Sequence, residues 1–255
     1  MRGITRPKKL TKLASLVAIS ALLIIFALQK LILDSSPESV RPTPRMRSYL
    51  WMPLSQWFFF HAEDVALAET SESKILFLGD SLVQNWSETQ VWNKHFKSLA
   101  ALNFGISGDL TQNLLWRLEN GAVGNLNPEK IILQIGTNNL SSSNKETSQE
   151  IAQGVIAVVN KLQIAFPEAK ILLMAVFPRE KEAEHPYRNK IQRLNQHLEI
   201  LQDLEHLTYL DMGNQFLLSD GTLSQELMPD ALHLSEKGYE IWGNAILQWM
   251  KSFEK

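Results

Sequence analysis

Cysteine is absent from all 255 residues. That absence excludes disulfides, thiol catalysis and cysteine-ligated zinc together, and it removes the disulfide pattern that often marks an extracytoplasmic protein. One-sided charge is missing as well. The 25 basic residues face 27 acidic ones, and no basic stripe of the kind that grips nucleic acid appears. There is no G-x-G-x-x-G and no Walker sequence, so no nucleotide cofactor is indicated. No group of His, Asp and Glu has metal-ligand spacing, and no metal is expected. The G-x-S-x-G elbow of many serine esterases is missing too.

The balanced total hides a local asymmetry. Residues 1–12, MRGITRPKKLTK, carry five basic side chains and no acidic one. The apolar run Leu13–Leu33 follows, 21 residues long and broken late by Lys30. As a helix it would be about 30 Å long, the thickness of a bilayer's hydrocarbon core, with Lys30 able to snorkel to the interface. A cleaved signal peptide has a similar start, but no small-x-small site follows closely; Ala66-Leu67-Ala68 lies too far on. The run therefore reads as an uncleaved signal anchor. The basic start places the N-terminus in the cytoplasm and the remaining domain in the periplasm or outside the cell. Arg41, Arg45 and Arg47, beyond the span, run against that orientation.

Residues 34–48 are rich in proline, serine and charge, the composition of an extended linker. In residues 49–60, YLWMPLSQWFFF, aromatic rings crowd together. Two roles fit them equally: lying against lipid headgroups, or packing on the domain's own surface. The expected organisation is thus a basic segment 1–12, an anchor 13–33, a linker and aromatic segment 34–70, and a folded domain 71–255.

From Lys74 the pattern becomes regular. Short apolar runs recur at 75–79, 101–105, 131–136, 171–177 and 207–211, each nearly continuous, as in parallel strands buried on both faces. Helical stretches lie between them. Thr147–Phe166 puts Ile151, Val155, Val158, Val159 and Leu162 on one face and stops at Pro167. Asp109–Asn120 ends at Gly121, and Ser235 stands where it would cap a last helix holding Tyr239, Trp242 and Trp249. This alternation predicts an α/β fold: a five-stranded parallel sheet between two helical layers.

Such sheets bind ligands beyond the carboxyl ends of their strands. Gly79-Asp80-Ser81 follows the first run, Gly105 closes the second, and Gly136, Asn138 and Asn139 follow the third. Asp230 and His233 precede the last helix. Each has an ordinary use when taken alone. Ser81 would serve as a helix cap, Gly105 as a turn residue, Asn138 as a partner for its own loop, and His233 as a surface residue. Together, at four strand-end loops, they are the parts of a serine esterase. His61, His95, His185, His197 and His206 have no comparable setting.

The order and spacing of these residues resemble the SGNH (GDSL) hydrolase superfamily. Gly79-Asp80-Ser81-Leu82 matches its first block, the Gly105 loop its second, Gly136–Asn139 its third and Asp230-x-x-His233 its last. The chain is similar above all to the catalytic subunits of type Ib platelet-activating-factor acetylhydrolases. That similarity is carried by residues 102–121, the GTNN block, Phe177-Pro178-Arg179 and residues 219–239. It implies a flavodoxin-like three-layer fold with Ser81 as nucleophile and His233 as base, oriented by Asp230. It also implies an oxyanion hole made by the N–H groups of Ser81 and Gly105 and the Asn138 amide. Asp80 is read as structural, and the family gives neither Asp109 nor Asp211 a triad role. The implied activity is hydrolysis of short-chain esters, acetyl above all, with no cofactor. Transfer of the acyl group to an envelope glycan is the enzymatic alternative, and a catalytically silent scaffold the other. The expected partners are a small-molecule, lipid or glycan ester and a membrane through residues 13–33, with homodimer formation left open.

Overall fold

The computed structural model describes residues 36–141 and 145–253. The apolar run Leu13–Leu33 lies outside them. Among the described residues no helix is long and apolar enough to cross a membrane. The elements follow in the order α1 (Leu54–Thr70), β1 (Ile75–Gly79), α2 (Ser81–Gln84), α3 (Gln90–His95), β2 (Leu102–Gly105), α4 (Thr111–Glu119), β3 (Lys130–Gln134), α5 (Thr137–Leu140), α6 (Ser148–Ala165), β4 (Lys170–Met174), α7 (Pro186–Glu199), β5 (Leu207–Leu210) and α8 (Glu236–Lys251).

The five strands make one parallel sheet in the order β2-β1-β3-β4-β5. This is the flavodoxin-like winding, with its switch point between β1 and β3. Continuous apolar strands are needed because both faces are covered. In β1, Leu76 and Leu78 point into one core with Phe104, Ile131, Leu133 and residues of α4, α6 and α7. Ile75 and Phe77 point into the other, with Ile132, Leu172, Trp86 and Trp242. The period-two alternation of a strand thus feeds two cores from one sequence run.

Helix boundaries follow local chemistry. Thr147 caps α6 in a reciprocal box with Glu150, and the helix stops at Phe166, before Pro167. Ser235 caps α8 by accepting from the Gly238 N–H. Strands β3 and β4 end earlier than their apolar runs suggest. Ala175 still donates to the Leu210 carbonyl of β5 at 2.9 Å, and Val176 and Phe177 continue past β4, buried but outside the strand.

The stretch expected to be linker behaves differently from residue 37 onward. All described residues from Pro37 on fall into one unit. Ser39 is buried, its hydroxyl donating to the Glu150 carbonyl and its carbonyl accepting from Thr111. Helix α1 buries Trp57, His61, Asp64 and Ala68. The sheet and helices from residue 71 therefore rest on side chains supplied by earlier residues.

Candidate active site

Strand β1 delivers Gly79 to the rim between β2 and β3, in register with Gly105 on one side and Gln134 on the other. The chain then turns directly into α2. Asp80 caps that helix: its Oδ1 accepts from the Leu82 N–H at 3.0 Å. The capping role that Ser81 alone suggested belongs to its neighbour. Ser81 is the first helical residue, so its own N–H has no intrahelical acceptor.

His233 arrives from the loop before α8. Its Nε2 lies 2.9 Å from Ser81 Oγ, and its Nδ1 lies 2.6 Å from Asp230 Oδ2. The other Asp230 oxygen accepts from the backbone N–H groups of Leu232 at 3.0 Å and His233 at 2.7 Å. Ala231 takes a left-handed φ of 61° to close this turn. Burial pushes the Asp230 carboxyl up, yet the hydrogen bonds from His233 and Leu232 outweigh it and hold the group below its ordinary value. Asp230 is 57% exposed and His233 32%, so the pair faces the rim rather than the core.

Gly105 and Asn138 stand on the adjacent loops. Gly105 is required by its neighbours. A Cβ there would lie 2.3 Å from the Gln84 backbone nitrogen and 2.9 Å from the Asp80 carbonyl oxygen. The strand end packs against the turn that carries Ser81, which is a stronger reason for glycine than room for a ligand. Its N–H donates to Asn103 Oδ1 at 2.9 Å. Asn138 follows Gly136, whose φ of 119° is open to glycine, and its Nδ2 donates to the Asp109 carbonyl at 3.0 Å. One amide hydrogen positions the side chain, and the second has no partner among the described residues. Ser81, Asp230 and His233 are thus brought together through hydrogen bonds. Gly105 packs against the turn that carries Ser81, Asn138 stands on the loop after β3, and each is already engaged by a residue of its own or a neighbouring loop.

The same residues have relatives elsewhere. Residues 77–241 match the model of the GDSL-like lipase/acylhydrolase family. The chain belongs to that family. It is 38% identical over 185 residues to the platelet-activating factor acetylhydrolase IB subunit alpha2 of Homo sapiens, spanning 72% of this chain and 79% of that protein. It is 36% identical over 207 residues to the alpha1 subunit of Bos taurus, covering 81% of this chain and 85% of that one. A crystal structure of a GDSL-like lipase from Bacteroides thetaiotaomicron superposes with a TM-score of 0.64, at 22% identity, over 76% of this chain and 97% of that one. That likeness speaks for the fold. Together with the family match, these relatives make the chain a GDSL-type acylhydrolase.

Sequence reasoning missed what lies beneath the rim of this GDSL hydrolase. Arg117, on α4, is fully buried. Its Nε donates to Asp109 Oδ2 at 2.8 Å and its Nη1 to Asp64 Oδ2 at 2.9 Å. Both Nη atoms reach the Phe104 carbonyl at 3.0 Å, and Nη2 also reaches the Gly79 carbonyl at 3.3 Å. Those carbonyls immediately precede Asp80-Ser81 and Gly105. Asp109 is held further by Trp57 Nε1 at 2.6 Å and Arg45 at 3.5 Å. Two carboxylates and two guanidiniums make the cluster neutral in sum, which is how charge survives burial. Burial pushes Asp64 up to about 7 and Asp109 upward, both opposed by Arg117. The signal was available: Arg117 follows Leu114 by three residues, which places a cation on the apolar face of its helix.

Asp80 gives a pH prediction. Burial pushes its carboxyl up to about 7, against the Leu82 N–H, with Asp109 adding to the rise and Arg179 opposing it. Its Oδ2 is buried without a partner. A group whose pKa rises on folding contributes stability that is present below its unfolded value and is lost as pH climbs through the folded one. Asp80→Asn keeps the Leu82 acceptor and removes the charge. Its Tm relative to wild type is therefore expected to rise between pH 5 and pH 8. A difference that stays flat across that window would show that Asp80 does not titrate there.

Proposed function

We propose that this GDSL hydrolase is a serine esterase that removes short acyl groups, acetyl above all, through an acyl-enzyme. Ser81 Oγ attacks the ester carbonyl as His233 Nε2 takes its proton. Asp230 holds the Nδ1–H, fixing the tautomer and stabilising the imidazolium. The N–H groups of Ser81 and Gly105 and the free hydrogen of the Asn138 amide receive the oxyanion. For Gly105 to take part, its N–H must turn from Asn103 Oδ1 to the incoming oxygen. His233 then returns the proton to the leaving alcohol, and a water molecule deacylates Ser81 by the same route.

The observation that carries this reading is the unbroken line Asp230–His233–Ser81, at 2.6 and 2.9 Å. Acetyl selectivity is supported by similarity to two proteins named acetylhydrolases. It is tested by hydrolysis of 4-nitrophenyl acetate, butyrate and octanoate by the purified full chain. The acetate is expected to give the highest kcat/KM. Faster octanoate hydrolysis would refute the short acyl site, and no hydrolysis of any ester would refute the esterase. The proposed setting is a single-pass membrane protein with its N-terminus in the cytoplasm and the catalytic domain outside. The basic start and the apolar run Leu13–Leu33 support it.

A further inference from the structure

Among the described residues, thirteen large apolar side chains are exposed, and six of them fall between residues 46 and 59: Met46, Tyr49, Leu50, Trp51, Phe58 and Phe59. Leu50 is fully exposed, Met46 73%, Trp51 59% and Phe59 58%. Met46 precedes a tight turn closed by the bridge between Tyr49 and Met52, which carries Tyr49, Leu50 and Trp51, and Phe58 and Phe59 belong to the first turns of α1. The turn is held from below. Met52 and Trp57 are buried with Ile106, and Arg45 lies under the rings of Tyr49, Trp51 and Trp57. The outer rings are therefore presented on a fixed base. An exposed apolar patch of this density marks an interaction surface.

We infer that residues 46–59 form a platform that docks on a lipid bilayer. Three observations select lipid as the occupant. The rings and aliphatic chains are of the kinds that favour the headgroup boundary, and the exposed Arg47 beside them suits anionic headgroups. Only 12 residues separate Leu33, the end of the apolar run, from Met46. Even fully extended, they reach about 40 Å, so a chain anchored by that run keeps the platform close to the membrane. Finally, one cavity of about 750 Å³ is lined both by Met46, Arg47, Tyr49 and Trp51 and by Asn138. An ester partitioned in the bilayer would thus approach the proposed site from the side of Asn138. The cavity's use rests on the esterase proposed above; the docking does not.

The absence of cysteine supplies the test. Leu50→Cys in the full chain, labelled with an environment-sensitive fluorophore, is reconstituted in vesicles of phosphatidylcholine and phosphatidylglycerol. Ile164→Cys, exposed on α6, is the control. The label at 50 is expected to shift to the blue and resist an aqueous quencher, while the label at 164 does neither. Equal quenching at both positions overturns the proposal. So does shielding at 50 in lipid-free protein that grows with protein concentration, since a second copy would then be the occupant. An alkaline carbonate wash of the same vesicles reports the anchor separately. A chain stripped by the wash but shielded at 50 beforehand keeps the platform and loses the anchor. A chain that resists the wash with its label quenched loses the platform alone. Leu50→Ser with Phe59→Ser is expected to slow hydrolysis of a vesicle-borne alkyl acetate several-fold and to leave soluble 4-nitrophenyl acetate unchanged. An equal loss on both substrates counts against delivery from the bilayer.

Discussion

Ser81→Ala is expected to lower kcat for a short-chain aryl acetate by about 10⁴–10⁶-fold, the scale on which removal of a triad serine acts. The hydroxyl itself does little for the fold. Asp80 caps α2, and Ser81 Oγ has His233 as its partner at 2.9 Å. His233 is part-exposed, so water replaces that contact, and the substitution costs at most about 1 kcal/mol of stability. The large effect on rate and the small effect on Tm separate a nucleophile from a structural serine. A fluorophosphonate probe that labels the wild type should leave Ser81→Ala unlabelled. Retention of even a tenth of the wild-type rate, with the fold intact, would remove Ser81 from the role. Asp230→Asn is expected to cost less than loss of the serine. The carboxylate is more than half exposed, and water can take up part of its contact with Nδ1.

The parts of this site were legible to different degrees, for physical reasons. A strand buried on both faces has to be apolar throughout, so the run ending at Gly79 declared itself, while the edge strand ending at Gly105 is half-buried and carries Asn103. Strand ends in a parallel sheet share one rim, so sequence order alone assigned Ser81, Asn138 and His233 to it, and a hydrogen bond of 2.9 Å joins Ser81 to His233. What the sequence did not disclose was residues 37–70. Proline, serine and arginine in 34–48 have the composition of a linker, and α1 carries aromatic residues around its circumference rather than along one stripe. Nothing in that composition distinguishes Trp57, which is buried, from Phe59, which is not. The distinction comes from long-range partners: Asp109 takes the Trp57 indole N–H, and Arg117 takes Asp64. A chain cut at residue 71 would retain every residue of the proposed triad and lose three groups that hold Asp109 and Arg117.

Arg117→Met should show how much rests on that cluster. The guanidinium is fully buried, and its removal takes from Asp64 its ion-pair partner and leaves Asp109 with Arg45 and the Trp57 indole N–H. Breaking a buried ion pair from one side costs about 3–5 kcal/mol, and each kcal/mol lowers Tm by roughly 2–4 °C in a domain of this size. The loss should depend on pH. Burial already pushes Asp64 up to about 7, and without Arg117 both carboxyls rise further. A raised carboxyl contributes stability that is present at low pH and lost as pH climbs through its folded pKa. The variant should therefore lie closer to wild type at pH 5 than at pH 8, and Asp64→Asn in the same chain should recover part of the deficit at pH 8. A structural cation with no bearing on the site would stop there. Arg117 also fixes the carbonyls of Gly79 and Phe104, the residues before Asp80-Ser81 and before Gly105. At a temperature where the variant is folded, kcat for the aryl acetate should fall while KM changes little, because the Phe104 carbonyl shares its peptide plane with the Gly105 N–H, a proposed oxyanion donor, and the Gly79 carbonyl opens the turn that carries Ser81. An unchanged kcat in folded protein would confine Arg117 to stability.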